Sequence, residues 1–224
     1  LGAAFDGRYV YFVPYYNGAY HGNVLRYDTR GDFKSAGSWS SFNAGNVGGL
    51  TTCGFFGAAH DGRYVYFTPY YNGAYHGNVL RYDTRGDFSS AGSWSSYDAG
   101  GTGGLATKGY VGSAFDGRYV YFVPRYDGSG YSGKVLRYDS RGDFASASSW
   151  SGYDAGNTAG LSTKGYSGAA FDGRHVYFVP TYDGSNYHGR VLRYDTQGAF
   201  TTATNWTAFD AGAINGLSTK GYIG

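Results

Sequence analysis

Apolar and polar positions along this chain follow a pattern of short strands. In the second quarter, Gly57-Ala58-Ala59-His60 is a small-residue strand, Asp61-Gly62 is a strong hairpin signal, and Tyr64-Val65-Tyr66-Phe67-Thr68 is an aromatic and aliphatic run ended by Pro69. A loop over 70–77 precedes a third strand, Asn78 to Tyr82. Asp83 to Asp87 turns the chain, and a fourth strand covers Trp94 to Asp98 before the Gly-rich stretch Ala99 to Gly109. Because the second and third strands are nearly continuous apolar runs, both faces of each small sheet must be covered by neighbours.

The same pattern is written four times. Asp-Gly-Arg recurs at Asp6, Asp61, Asp116 and Asp172, and tryptophan at Trp39, Trp94, Trp150 and Trp206, a period of 55 or 56 residues. Between Gly2 and Thr52 the first copy differs from the second at only eight positions, among them Phe5 against His60, Val13 against Thr68 and Lys34 against Ser89. Four-stranded antiparallel sheets packed face to face around an axis form a β-propeller. The expected fold is therefore all-β: a single β-propeller domain over 1–224, four blades of four antiparallel strands, spanning about 1–56, 57–111, 112–167 and 168–224. Ile223-Gly224 matches Leu1-Gly2 in phase, which suits either four blades closing into a ring or a segment of a longer tandem array. Closure is the expectation, since unpaired repeat ends need polar caps that are not seen here.

Composition supports an all-β chain. It holds 26 Tyr, 15 Phe and 40 Gly but no Met and no Glu, a supply that suits pleated sheets and disfavours helix interiors. The 18 basic and 16 acidic residues are interspersed, so no basic patch advertises nucleic acid. No apolar stretch approaches the ~18 residues of a membrane span, and the first residues lack a signal-peptide pattern. Without Met, the chain is expected to be a mature, excised or engineered segment, compatible with a secreted or cell-surface protein. Cys53 is alone where the other copies carry Lys108, Lys164 and Lys220, so neither a disulfide nor a zinc site is expected.

The series Phe115-Asp116-Gly117-Arg118-Tyr119-Val120-Tyr121-Phe122, then Val135-Leu136-Arg137-Tyr138-Asp139, then Trp150, resembles a kelch-type blade, and the resemblance covers every repeat. Val123-Pro124 stands where kelch blades typically carry a Gly pair. The resemblance implies a propeller that serves as a binding platform more often than as an enzyme.

In such a blade, the loop between the second and third strands and the link to the next blade emerge on one face. That face collects Tyr16, Tyr20 and His21, with Tyr71, Tyr75 and His76, Tyr126 and Tyr131, and Tyr182, Tyr187 and His188 as their counterparts. Ser132 replaces histidine in the third copy, and the third and fourth loops are one residue longer. Tyrosine beside Asn, Asp and His offers flat apolar faces for a sugar ring and hydrogen-bonding groups for its hydroxyls. These residues are the candidate ligand contacts, and glycans or other surface ligands the candidate partners. The alternative for the same tyrosines is that they pack on one another to hold Gly-rich loops.

The opposite face carries the Asp-Gly-Arg turns. Asp6, Asp61, Asp116 and Asp172 are candidates for a ring around a hard cation, against the simpler reading of four turns with Arg8 and its copies balancing carboxylates. Arg30-Gly31-Asp32 and its copies match an adhesion tripeptide only in three letters, and Asn205-Trp206-Thr207 matches a glycosylation acceptor. No nucleophile with a base, no paired acids in a unique cleft and no metal cluster is apparent, so neither catalysis nor a cofactor is expected. Two functions fit: a non-catalytic, multivalent glycan-binding module acting through the tyrosine face, or a structural repeat unit of a surface array or fibre that self-associates.

Overall fold

In the computed structural model, which describes residues 2–224, the chain is all-β, with four four-stranded antiparallel sheets and two two-stranded ones. Among the described residues the only helical segments are single 3₁₀ turns of three residues. The second sheet consists of Phe55–His60, Tyr64–Pro69, Asn78–Asp83 and Trp94–Asp98, joined in chain order. The first (3–43), third (110–154) and fourth (166–210) sheets repeat this meander. Pro69 is the last residue of its strand and pairs with Phe55 across a bulge. The first strand thus begins earlier than its small-residue run, because Phe55 and Phe56 lie between two glycines that look like link.

The Asp-Gly hairpin is pinned by its own aspartate. Asp61 Oδ1 accepts the backbone N–H groups of Arg63 and Tyr64 at 2.8 and 2.6 Å, and Oδ2 accepts the Tyr66 hydroxyl at 2.6 Å. Gly62 takes φ +97° while neither Asp61 nor Arg63 has a positive φ, so glycine supplies the one left-handed position of the turn.

Consecutive sheets meet through an aromatic layer that recurs three times. Phe42 stacks on Trp94 at 4.9 Å and 10°, Tyr97 on Trp150 at 4.9 Å and 10°, and Tyr153 on Trp206 at 4.9 Å and 17°. Beside each stack an arginine is held between two rings, its own sheet's tyrosine and the next sheet's phenylalanine. Arg26 lies 4.2 Å from Tyr9 and 4.1 Å from Phe88, and Arg81 lies 4.1 Å from both Tyr64 and Phe144. Arg137 lies 4.1 Å from Tyr119 and 4.3 Å from Phe200. Desolvated cation–π contacts of this kind contribute up to about 2 kcal/mol.

The four sheets do not close on one another. Phe33 is 65% exposed whereas Phe88 and Phe144 are 3% exposed, and Leu25 is 39% exposed where Leu80, Leu136 and Leu192 are fully covered. At the other end Phe209 is 64% exposed. The expectation of closure rested on open ends needing polar caps, but these ends are both open and apolar. The aromatic layer fixes the step from one sheet to the next, and three such steps leave the outer faces of the first and last sheets uncovered.

The Gly-rich links are more ordered than their composition suggests. Each carries a threonine, among them Thr52, Thr107 and Thr163, all fully buried, whose hydroxyl bonds the carbonyl of Ala44, Ala99 or Ala155. In the third and fourth links Asn157–Thr158 pairs with Leu161–Ser162, and Ala213–Ile214 with Leu217–Ser218. These turns place Ala159 at φ 55° and Asn215 at φ 53°, a conformation glycine or asparagine adopts readily and alanine does not. Ala159→Asn is accordingly expected to raise unfolding stability by about 1 kcal/mol. Chemical denaturation of the two proteins checks this, and an unchanged or lower midpoint would argue against strain at this turn.

Candidate functional site

The loop between the second and third strands folds back on itself in every repeat, with Tyr16 bridged to Tyr20, Tyr71 to Tyr75, Tyr126 to Tyr131 and Tyr182 to Tyr187. This brings the eight candidate tyrosines into one continuous ladder. Within the loops the ring centroids are 5.1, 4.9, 5.3 and 5.2 Å apart. Between loops, Tyr20 meets Tyr71 at 5.2 Å, Tyr75 meets Tyr126 at 4.9 Å and Tyr131 meets Tyr182 at 5.1 Å. Most contacts are edge-on or tilted, the arrangement favoured by the ring quadrupoles.

The ladder leaves fewer free faces than the sequence suggests. Tyr16 at 57% and Tyr187 at 65% exposure form its open ends, and the six tyrosines between them are half-buried. Glycine makes the stacking possible: Gly54, Gly109 and Gly165 adopt φ of +71°, +66° and +72°, and a Cβ at any of them would run into the carbonyl oxygen of Tyr71, Tyr126 or Tyr182. The packing alternative for these rings is thus realised alongside any recognition.

The histidines do not join the surface. His76 and His188 are buried, at 7% and 3% exposure, and His21 is half-buried. Their Nδ1 atoms accept the backbone N–H two residues on, from Asn23, Asn78 and Arg190 at 3.2, 3.3 and 3.2 Å. Ser132 Oγ does the same for Lys134 at 3.1 Å, which explains why serine can stand at this position. Burial pushes the His76 imidazole down to about 4, with the neighbouring Cys53 and Gly54 backbone offsetting part of that. His76 and His188 are therefore supports of the loop and not ligand contacts.

Where the third and fourth loops are longer, their chemistry also changes. Asp127 binds Lys134 Nζ at 2.6 Å, and Asp183 binds Arg190 Nη2 at 2.5 Å, where the first two copies carry Asn17 with Asn23 and Asn72 with Asn78. Burial works to raise the Asp127 and Asp183 carboxyls, but the cation and the loop N–H groups hold each at about 2.

Between loops and links lie shallow hollows. One of about 460 Å³ is lined by Tyr20, His21, Asn23, Asn43, Asn46 and Cys53 among others. Another of about 450 Å³ is lined by Tyr126, Tyr131, Ser162, Lys164, Asp183 and Ser185 among others. Each joins tyrosine edges to amide, hydroxyl or charged groups. Burial raises the Cys53 thiol, and its Sγ lies 3.5 Å from the Gly45 carbonyl, so it offers no thiolate to the first hollow.

The cation-ring candidates separate. Asp6, Asp61, Asp116 and Asp172 each accept two turn N–H groups and a tyrosine hydroxyl, from Tyr11, Tyr66, Tyr121 and Tyr177. Arg8, Arg63, Arg118 and Arg174 pair instead with Asp28, Asp83, Asp139 and Asp195 at 2.6 to 2.7 Å. Among the described residues no three of His, Cys, Asp and Glu converge as metal ligands. Of Asn205-Trp206-Thr207, Trp206 is buried at the start of the last strand of the fourth sheet, and Asn205 Nδ2 donates to the Ala199 carbonyl at 2.9 Å in the turn before it.

No protein-family model matches the chain, and no curated protein matches it. Among solved structures it is similar to PorZ of Porphyromonas gingivalis, described as an essential bacterial surface component of the type-IX secretion system. The superposition has a TM-score of 0.60 at 14% identity and covers 97% of this chain but 28% of the PorZ chain. At that identity the likeness concerns the fold. No helix among the described residues is long and apolar enough to cross a membrane.

Proposed function

We propose that the four sheets are blades of a kelch-like β-propeller and that the chain is a non-catalytic, multivalent glycan-binding module of a secreted or cell-surface protein. The observation that carries this reading is the recurrence of open, polar-lined hollows beside tyrosine edges on one face. Hydroxyl-rich ligands suit such sites, since ring edges and C–H faces pack while amides, Lys164 and serines bond the hydroxyls. The surface location of PorZ supports the assignment of location. Each site is shallow, so affinity comes from several engaged at once, an avidity gain of roughly 10²–10⁴.

The test is a glycan array with the intact protein, followed by the double variant Asn46→Ala, Lys164→Ala. Both side chains are exposed and one lies in each hollow, so the fold should be kept while binding to a multivalent glycan falls by roughly 10²-fold. Replacing Tyr20, Tyr75, Tyr131 and Tyr187 together would also remove packing, because three of them lie inside the ladder. Silence across the array, or a double variant that binds like the parent, would defeat the reading.

A further inference from the structure

The two open ends of the molecule are the two halves of an interface that it already contains three times. On the far side of the fourth sheet, Tyr177, Val191, Arg193, Thr207, Ala208 and Phe209 line a hollow of about 290 Å³. In the first three sheets the residues matching Arg193 and Phe209 are Arg26, Arg81 and Arg137, and Phe42, Tyr97 and Tyr153. Each of these is covered by the next sheet's phenylalanine and tryptophan. On the near side of the first sheet, Phe33 and Trp39 are that receiving pair, and Phe12 and Leu25 beside them are exposed where their counterparts are not. Arg193 lacks the phenylalanine, its own sheet carrying His175 where the others carry tyrosine, and Phe33 lacks the arginine.

We propose that a second copy of this chain docks head to tail, setting its first sheet on the fourth sheet of its neighbour. The contact reproduces the internal one: Phe209 stacks on Trp39 of the second copy, Arg193 lies over Phe33 of the second copy, and Leu25 and Phe12 of the second copy fill the hollow. The occupant is specified by the repeat itself, because a face built to receive the next sheet is met in shape and charge by the first sheet of an identical chain. The contact is heterologous, so one copy offers its fourth sheet and the other its first, and the free ends that remain can close the pair into a ring or extend it. Gly224 packs against Gly168 as Gly57 packs against Gly2, so at the join Gly224 must give up that place to Gly2 of the second copy.

The experiment is sedimentation or light scattering of the 224-residue chain over a concentration range, with Phe33→Asp and Phe209→Asp variants. Both residues are mostly exposed, so the monomers should keep their strand signal in circular dichroism. The parent is expected to at least double in mass as concentration rises, and each variant alone to remain monomeric. Mixing the two variants should restore a dimer, because one intact first sheet and one intact fourth sheet remain between them. Rescue on mixing is the signature of the head-to-tail contact. A parent that stays monomeric throughout, variants that associate like the parent, or a mixture without rescue would each overturn the proposal, the first leaving these faces to further repeats on the same chain.

Discussion

Replacing Trp150 by alanine is expected to lower unfolding stability by about 3–5 kcal/mol, and replacing Trp39 by less than about half of that. The two tryptophans occupy the same position of the repeat and keep the same bond, Nε1 donating to the carbonyl of Phe144 or Phe33 at 3.0 Å. Each also packs on its own sheet's tyrosine, Tyr138 at 4.6 Å and Tyr27 at 4.7 Å. What differs is the other face. Trp150 carries Tyr97 of the preceding sheet and is buried, while Trp39 has no preceding sheet and is half-buried. The difference between the two losses thus measures what one neighbouring sheet contributes to the layer. It should be read from denaturant unfolding at low protein concentration, where association does not cover Trp39. Because repeat proteins can unfold in stages, the first sheet should be followed separately by tryptophan fluorescence. Equal losses would mean that the open face of the first sheet is not open in solution.

Much of the fold was legible because strand signals in this chain are local. Asp61-Gly62, Pro69 and Trp94 mark turn, strand end and outer strand, and the observed strands depart from their expected bounds by at most two residues. Ring closure was not legible. It depends on the angle between sheets, which the packing of Trp94, Phe88 and Arg26 sets in three dimensions and no spacing encodes. The candidate site shows the same division. The loop tyrosines were found by recurrence and do lie together, yet recurrence cannot distinguish a ring offered to a ligand from one offered to the next ring. Only Tyr16 and Tyr187, with no further loop beside them, remain mainly exposed. For the histidines the usable signal was Ser132. A position that alternates between histidine and serine needs an acceptor for a nearby N–H more than it needs an imidazole. The buried threonines Thr52, Thr107 and Thr163 also recur in register, and that signal was available in links that looked like plain glycine-rich connections.

Stability is expected to fall as the solution is acidified from about pH 6.5 to about pH 4, and His76→Ser is expected to flatten that fall. The unfolded imidazole titrates near 6.5, whereas burial holds His76 at about 4 in the folded protein. Between those values the unfolded chain binds the extra proton, so the contribution is complete above 6.5 and disappears as pH drops to about 4. A difference of this size corresponds to about 3 kcal/mol at most. His188 is lowered in the same direction, again chiefly by burial, and adds to the effect. The loop carboxylates do not mimic it, because Asp127 and Asp183, held at about 2, give up stability only below their ordinary 3.8. Serine at position 76 keeps an oxygen for the Asn78 N–H, as Ser132 does for Lys134, but removes the group that must protonate. The edge contact of His76 with Phe55 at 6.1 Å is also lost, so the variant should be less stable at pH 7. The slope with pH is therefore the measurement, taken from urea midpoints at several pH values across the window. Parallel curves for parent and variant would show that the acid sensitivity arises elsewhere.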